Sequence, residues 1–303
     1  MISVIICTYN REKYIGPLLE SIAKNDYPKN DYEILLVDNN CTDNTRAVCQ
    51  SFTKTHKDIT FRYVTEPEQG LSAARNKGIK ESKGDIIIYV DDDALVDADY
   101  ISSYADHFAN NPNTMAAGGP IEPHYETEEP KWMSPYTKAL LTAWMNYGPK
   151  VREYPKGRYP GGGNAAYRKI VFDKVGLFNT ELGRKGTALL ASEEKDIFDK
   201  MHSLGITVLY LPTPVLHHII PQAKLEQPYF ERLTRQIGVS ERARTKAISQ
   251  KKYFERLMSE VIKWCGTLVL LCIYTLQGNP LKGWKLVLFR KNVTSGLLNL
   301  IKK

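Results

Sequence analysis

Cysteine is sparse in this chain of 303 residues, and its five copies (Cys7, Cys41, Cys49, Cys265, Cys272) show no C-x-x-C spacing. The odd number and irregular spacing argue against a zinc site or a disulfide framework, and for reduced thiols in a cytosolic setting. No G-x-G-x-x-G or G-x-x-x-x-G-K-[ST] follows a strand-like run, which counts against a dinucleotide oxidoreductase and a P-loop enzyme. The first residues lack a basic region, and the apolar run over 2–7 is too short for a signal-peptide core. It reads as a first strand, so a non-secreted protein is expected. Internal repeats and low-complexity tracts are missing. The longest uninterrupted apolar stretch, roughly 264–276, falls short of the ~18–20 residues of a spanning helix.

What is present is an ordinary globular balance, 43% hydrophobic and 25% charged residues, enough for one large or two smaller domains. The net charge of +7 is uneven. Residues 224–303 carry 16 Lys and Arg against 5 Asp and Glu, so the remainder is net acidic. A basic tail on an acidic body suits an anionic partner. Apolar residues interleave with the tail's charges, which suits a lipid surface better than nucleic acid. The sequence leaves the oligomeric state open.

Residues 1–120 alternate strand-like segments (3–7, 33–37, 59–64, 86–90) with helix-like ones (14–23, 45–52, 71–80, 100–109). That order implies a mainly parallel sheet flanked by helices. A further strand is expected over 115–120. Residues 121–160 lack periodicity and are rich in Pro, Tyr and Trp, which predicts a mobile loop or lid. Trp132, Trp144 and Tyr159 are candidates there for stacking on sugar rings or for ordinary packing. Gly161 to Asn164 leads into a short strand, Ser192-Glu193-Glu194 opens a helix, and 206–211 forms a late strand. The expected boundary falls after residue 223: a catalytic domain over 1–223, with halves 1–120 and 121–223, and a basic amphipathic tail over 224–303. In the tail a basic helix (229–247) precedes a helical hairpin turning at Gly278-Asn279-Pro280. Its Trp284, Lys282, Lys285, Arg290 and Lys291 suit the headgroup level of a membrane interface. A buried core hairpin, a dimer interface and a spanning hairpin are the alternatives.

The chemistry concentrates where strands end. Ile86-Ile87-Ile88-Tyr89-Val90 reads as a strand buried on both faces, and Asp91-Asp92-Asp93 follow it. Ligands of open α/β sheets bind at the carboxyl ends of strands. Adjacent aspartates repel one another, and their hard oxygens suit Mg²⁺ or Mn²⁺ with a substrate phosphate; otherwise they form a solvated helix-capping turn. Thr8-Tyr9-Asn10-Arg11, Asp38-Asn39-Asn40-Cys41-Thr42-Asp43 and Gly70 to Asn76 occupy the other strand ends. Tyr9 can stack on a base, Asp38 can accept from a base N–H, and Arg75 can contact ribose or phosphate. Asn10 and Asp43 as turn or cap residues and Arg75 as a surface charge are the plain alternatives.

Together these motifs resemble the family 2 glycosyltransferases of the GT-A fold. The matching residues are Ser3 to Asn10, Val37 to Asp43, Gly70 to Gly78, the Asp91-Asp92-Asp93 version of D-x-D, Gly162-Gly163-Asn164 with Arg168, and Glu193-Glu194-Lys195-Asp196-Ile197. The resemblance covers about residues 1–220. It implies an α/β GT-A fold, a mixed and mainly parallel sheet flanked by helices; the composition of the tail adds C-terminal helices as a membrane-associated extension. It implies inverting transfer of a sugar from a nucleotide-diphosphate donor to a hydroxyl of a lipid-linked or cell-surface glycan, at the cytoplasmic membrane face, peripheral or monotopic, with Mn²⁺ or Mg²⁺.

By the same resemblance Thr8, Tyr9, Asp38 and Arg75 hold the nucleotide and Asp92 touches ribose; Asn10, Arg11, Asn39 and Asp91 are further candidates beside them, and Gly162, Gly163 and Asn164 let backbone approach the donor sugar closely. Many members have a second Asp where Asn39 stands, so uracil recognition is not assured. Asp93, Asp91 and His217 would hold the metal, with His218 a close second to His217. Inversion needs a general base opposite the leaving diphosphate. Glu194 aligns with that position, with Glu193 and Asp196 as alternatives. Helical spacing sets Glu193 and Asp196 on one face and Glu194 elsewhere. The structural alternative is an N-cap at Ser192 with acidic residues complementing the helix dipole. Two other readings compete. A nucleotidyltransferase would need a Gly-rich basic phosphate loop where Thr8-Tyr9-Asn10 stands, and a catalytically dead membrane adaptor would not need the intact acidic groups.

Overall fold

A computed structural model describes residues 1–155, 157–182 and 193–300. In chain order the first half comprises β1 (Ile2–Thr8), α1 (Glu12–Ala23), β2 (Tyr32–Asp38), α2 (Thr45–Thr55), β3 (Thr60–Thr65), α3 (Leu71–Glu81), β4 (Ile86–Asp91), β5 (Ala94–Val96), α4 (Tyr100–Asn110) and β6 (Ala116–Gly118). Then come β7 (Ile121–Tyr125), α5 (Pro135–Thr142), β8 (Arg152–Glu153), β9 (Asn164–Arg168), α6 (Val171–Val175), α7 (Glu193–Ser203), β10 (Val208–Tyr210) and β11 (Leu216–Ile220). The chain ends in α8 (Gln222–Leu225), α9 (Gln227–Ile248), α10 (Gln250–Leu276) and α11 (Pro280–Leu298).

An eight-stranded sheet has the order β3-β2-β1-β4-β9-β6-β10-β8, and β5-β11-β7 form a separate three-stranded sheet. β3, β2, β1 and β4 run parallel, whereas β9 is antiparallel to both β4 and β6. All seven residues of β2 are buried, as in a central strand covered on both faces. Helix α1 contributes Ile15, Leu18, Leu19 and Ile22 to one face of the sheet. The i, i+3, i+4, i+7 spacing makes that stripe. On the other face α7 contributes Ile197, Phe198 and Met201.

The register sets the functional edge. Thr8 lies opposite Asp38, Cys7 opposite Asp91, and Asp38 opposite Thr65. The loops that follow the first four parallel strands therefore leave the sheet at one level. The triple aspartate does not open a helix. Asp91 ends β4, and β5 begins at Ala94.

The chain divides into two compact units, differently from the boundary expected at 223: residues 1–123 with 145–219, and residues 124–144 with 220–303. The stretch expected to be a loop is partly ordered. Ser134 and Thr137 form a reciprocal capping box with Pro135 at the start of α5, a local signal for a helix start. Met133 and Leu141 then join Ile220, Leu225 and Phe230 in the second unit's own core.

In that second unit the long helix α9 precedes α10 and α11, which turn at Gly278-Asn279-Pro280 and pack on each other. α9 meets α11 where Gly238 faces Gly296; a Cβ on Gly238 would fall 2.0 Å from the Val293 carbonyl oxygen. In α10, buried Glu260 accepts from Arg256 at 2.7 Å and from Arg290 of α11 at 3.1 Å. Lys285, expected among headgroups, is instead buried, with Nζ 4.1 Å from the Trp132 ring centroid and 4.2 Å from that of Phe230. Two aromatic faces and the Gln227 side-chain oxygen (2.9 Å) replace the water it gives up. α10 spans 27 residues, more than its apolar run suggested, and is long and apolar enough to cross a membrane by length and composition. Phe254, Ile262, Leu276, Leu281 and Trp284 are exposed on α10 and α11.

Candidate functional site

The β1–α1 loop begins with buried Thr8 and then exposes Tyr9 fully enough to stack a base. Asn10 adopts φ 55°, and its Oδ1 accepts from the Thr42 N–H at 2.7 Å. It is the turn residue of its plain alternative, joining the β1 loop to the β2 loop. Arg11 reaches the acidic strand end, with Nε 3.4 Å from Asp92 and Nη2 3.5 Å from Asp93.

In the second loop Asp38 accepts from the Cys41 N–H at 2.7 Å and from the Tyr63 hydroxyl at 2.6 Å. Asn39 is buried and its amide is bound to neighbouring backbone. Its amide donates to the carbonyls of Glu66 (2.9 Å) and Glu68 (2.7 Å) and accepts from the Gly70 N–H (2.8 Å). A carboxylate cannot donate to two carbonyls, which explains Asn at this position. Asp43 ties α1 to α2, accepting from the N–H groups of Glu12 (2.9 Å) and Thr45 (3.1 Å).

Asp91 is open to solvent at the strand end, whereas Asp93 is buried. Burial and the neighbouring Asp93 raise the Asp91 carboxyl, against the pull of Arg75 and His218. Burial and Asp93 also lift Asp92, to about 7, with Arg11 opposing. Asp91 is reachable by water, so its desolvation is partial and mutual repulsion carries more of the effect there. Such a cluster favours a bound cation. Among the described residues no three His, Cys, Asp or Glu side chains are already gathered around one point. The donors nevertheless suit a hard divalent ion: Asp91 and Asp93 oxygens with an imidazole beside them.

That imidazole is His218. Its Nε2 lies 3.5 Å from Asp93 Oδ1, while His217 turns to the opposite face of β11 and meets Asp97 at 2.9 Å. Strand alternation forces the two apart. The register pairing His218 with Ala94 and the Ile219 N–H donating to the Asp93 carbonyl at 2.8 Å bring His218 to the acidic end. His217 is therefore not placed with Asp91 and Asp93.

The expected donor contact of Arg75 is likewise not what the structure places there. Arg75 is only 3% exposed, and its guanidinium forks onto Glu193 (Nη1 to Oε1, 2.9 Å) and Glu194 (Nη2 to Oε1, 2.8 Å). Burial alone would push the guanidinium down; Glu194 and Glu193 more than offset it and raise Arg75, so it stays charged. Glu193 is 1% exposed on its side chain and Glu194 24%. Of the pair only Glu194 is open to a substrate. Asp196 pairs with Lys200 at 2.7 Å. Ser192, the expected N-cap, lies outside the described residues.

Gly162 and Gly163 stand between these groups. A Cβ on Gly162 would fall 1.7 Å from Glu194 Oε1, and one on Gly163 2.1 Å from Asp91 Cγ. Asn164, expected beside them in the donor pocket, is wholly buried. It accepts from Tyr100 (2.9 Å) and Tyr104 (2.7 Å) and donates to the carbonyls of Pro120 and Pro214. All four hydrogen-bonding positions of its amide are used, so it is a strut rather than a lining residue. Tyr159 stacks on Phe198 (5.5 Å), and Trp132 packs on Phe230 (6.0 Å), both in ordinary core contacts.

Known proteins bear on this site. Over 229 residues the chain is 26% identical to glucosyl-dolichyl phosphate glucuronosyltransferase of Haloferax volcanii, covering 74% of this chain and 71% of that protein. It is 27% identical to succinoglycan biosynthesis protein ExoM of Rhizobium meliloti, covering 73% of this chain and 67% of ExoM. Among solved structures, the mannosyltransferase PcManGT from Pyrobaculum calidifontis in complex with GDP-Man and Mn²⁺ superposes with a TM-score of 0.60 at 19% identity, over 99% of this chain and 88% of that one. Staphylococcus aureus TarS 1–349 in complex with UDP-GlcNAc superposes at 0.53 and 17% identity, over 100% of this chain and 93% of that one. These two show the shared GT-A fold. The glycosyl transferase family 2 model matches residues 3–176, more than half of the chain, and with its acidic strand end and its carboxylate pair this protein belongs to that family.

Proposed function

We propose that the protein transfers a sugar, with inversion at the anomeric carbon, from a nucleotide-diphosphate sugar to a hydroxyl group deprotonated by Glu194. The observation that carries this reading is the Gly162-Gly163 pair, with the acidic strand end against one glycine and the partly exposed carboxylate of Glu194 against the other. Exposed Tyr9 stacks on the base. Asp92, beside the β1 loop through the Tyr9 N–H (3.4 Å), takes the ribose. Asp91 and Asp93, with His218 in place of His217, would hold Mn²⁺ or Mg²⁺, which supplies charge stabilisation to the departing diphosphate. Mn²⁺ is named with two nucleotide-sugar enzymes of this fold, PcManGT and GalNAc-T7, which supports the choice of ion. Glu194 accepts the proton of the attacking hydroxyl, and Arg75 holds its carboxylate in place.

The test is the configuration of the product. With Mn²⁺ and an α-linked UDP-, GDP- or dTDP-sugar, even slow transfer to water releases the β anomer, read by proton NMR before mutarotation. Release of the α anomer, or no turnover of any of these donors, contradicts the reading.

The lipid-linked or polysaccharide acceptors implied by the names of the relatives go with the basic, apolar-faced second unit, and we place the chain on the cytoplasmic face of a membrane. Full-length protein is expected to co-sediment with anionic liposomes and release them as salt rises. Indifference to both anionic and neutral vesicles contradicts that placement.

A further inference from the structure

Arg75 occupies a closed box. Its guanidinium lies 5.4 Å from the ring centroid of Phe178 and 5.8 Å from that of Tyr89, and the Tyr89 hydroxyl donates to its backbone carbonyl at 2.9 Å. Asn76, the next residue, fixes Phe178 from both sides, donating to its carbonyl at 2.8 Å and accepting from its N–H at 2.9 Å. The Gly162 Cα closes the box: a Cβ there would stand 2.3 Å from Arg75 Nη2. Glu193 and Glu194 complete the contacts. Adjacent residues of a helix point about 100° apart, and one guanidinium fork engages both.

We propose that Arg75 is a positioning residue that holds the Glu194 carboxylate at one place and angle, with Glu193 as the buried anchor of the clamp, and that it is not a ligand of the donor. The inference rests on the reading of Glu194 as the base. Nothing in its sequence neighbourhood marks it, because α3 and α7 are more than a hundred residues apart. A diphosphate has no path to a guanidinium that is 3% exposed without displacing Glu194. Glu193 explains why the acidic residues come as a pair: one carboxylate fixes the arginine, and the other is fixed by it.

The experiment compares Arg75→Lys and Gly162→Ala with the full-length enzyme, reading kcat and donor KM together with stabilisation by UDP, GDP and dTDP in Mn²⁺. A lysine keeps the charge but cannot fork onto both carboxylates. The three atoms nearest the alanine methyl belong to the ends of the Glu194 and Arg75 side chains, so it moves the carboxylate before it presses on any backbone. Both variants are expected to lose about 10–100-fold in kcat, the scale of a misplaced catalytic group, with donor KM and nucleotide stabilisation within about twofold. Gly162→Ala keeps the test decisive if Arg75→Lys folds poorly. A raised donor KM with lost nucleotide stabilisation overturns the proposal in favour of a donor contact, and unchanged kcat in both variants overturns it outright. Full activity of Arg75→Lys beside a dead Glu194→Gln defeats the clamp alone; an active Glu194→Gln defeats the reading beneath it.

Discussion

Glu194→Gln lowers sugar transfer by about 10²–10⁴-fold, the usual contribution of a general base, and leaves nucleotide binding intact. Glutamine has the same shape, and its side-chain oxygen still accepts from Arg75 Nη2, now at 2.8 Å from Glu194 Oε1. Only proton acceptance is removed. The two alternatives are constrained differently. Glu193 is enclosed, with 1% of its side chain exposed, so no acceptor hydroxyl reaches it. Asp196 is engaged with Lys200 on the helix surface. Turnover near the wild-type level in Glu194→Gln, measured beside normal nucleotide binding, would transfer the role to one of these two.

Gly163→Ala acts at the other end of the site. Its methyl would lie 2.1 Å from Asp91 Cγ, 2.2 Å from Asp91 Oδ2 and 2.7 Å from Asp91 Cβ, so the carboxylate must swing away and the strand end must shift with it. Gly163 is not among the glycines with positive φ, so its backbone accepts alanine without strain. Moving one carboxylate from a metal's surroundings typically costs about 10–100-fold in metal affinity. The Mn²⁺ concentration for half-maximal activity is therefore expected to rise by that factor, with a smaller loss of thermal stability in the absence of metal from the shifted strand end. An unaltered metal requirement would remove Asp91 from the ion's coordination. The adjacent alanine substitutions thus have different signatures: Gly162→Ala in kcat at saturating metal, Gly163→Ala in the metal requirement.

Much of this was legible in sequence because it is local. The run from Ile86 to Val90 fixes β4, and the aspartates after it fix the functional edge. Tyr9 and the triple aspartate stand at that edge because parallel strands in register end together. What was not legible depends on contacts distant in the chain. Asn39 and Asn164 have the polar character of ligand residues, yet both amides are spent on backbone carbonyls and neighbouring side chains 27 to 64 positions away. Arg75 likewise reads as a phosphate contact until its partners in α7 are seen.

The histidine assignment turned on strand alternation. His217 and His218 are neighbours in sequence and opposites in space, and the pairing of β11 with β5 decides between them. Tyr63, whose hydroxyl engages Asp38, sits on an ordinary strand with no motif to mark it. In the second unit, composition gave the helices but not the burial of Lys285 between two aromatic rings, which needs Trp132 from a distant segment.

The central claim is that the ends of the first four parallel strands form one nucleotide-diphosphate and metal site. Thermal unfolding with UDP, GDP or dTDP, each with Mn²⁺ or Mg²⁺, tests it most directly. The account predicts saturable stabilisation by at least one nucleotide that requires the metal, larger at pH 8 than at pH 6. The sign follows from the raised carboxyls of Asp91 and Asp92: as pH falls toward 6 the cluster takes up protons that the ion must displace. Full-length protein that gains no stability from any nucleotide with either metal contradicts the account.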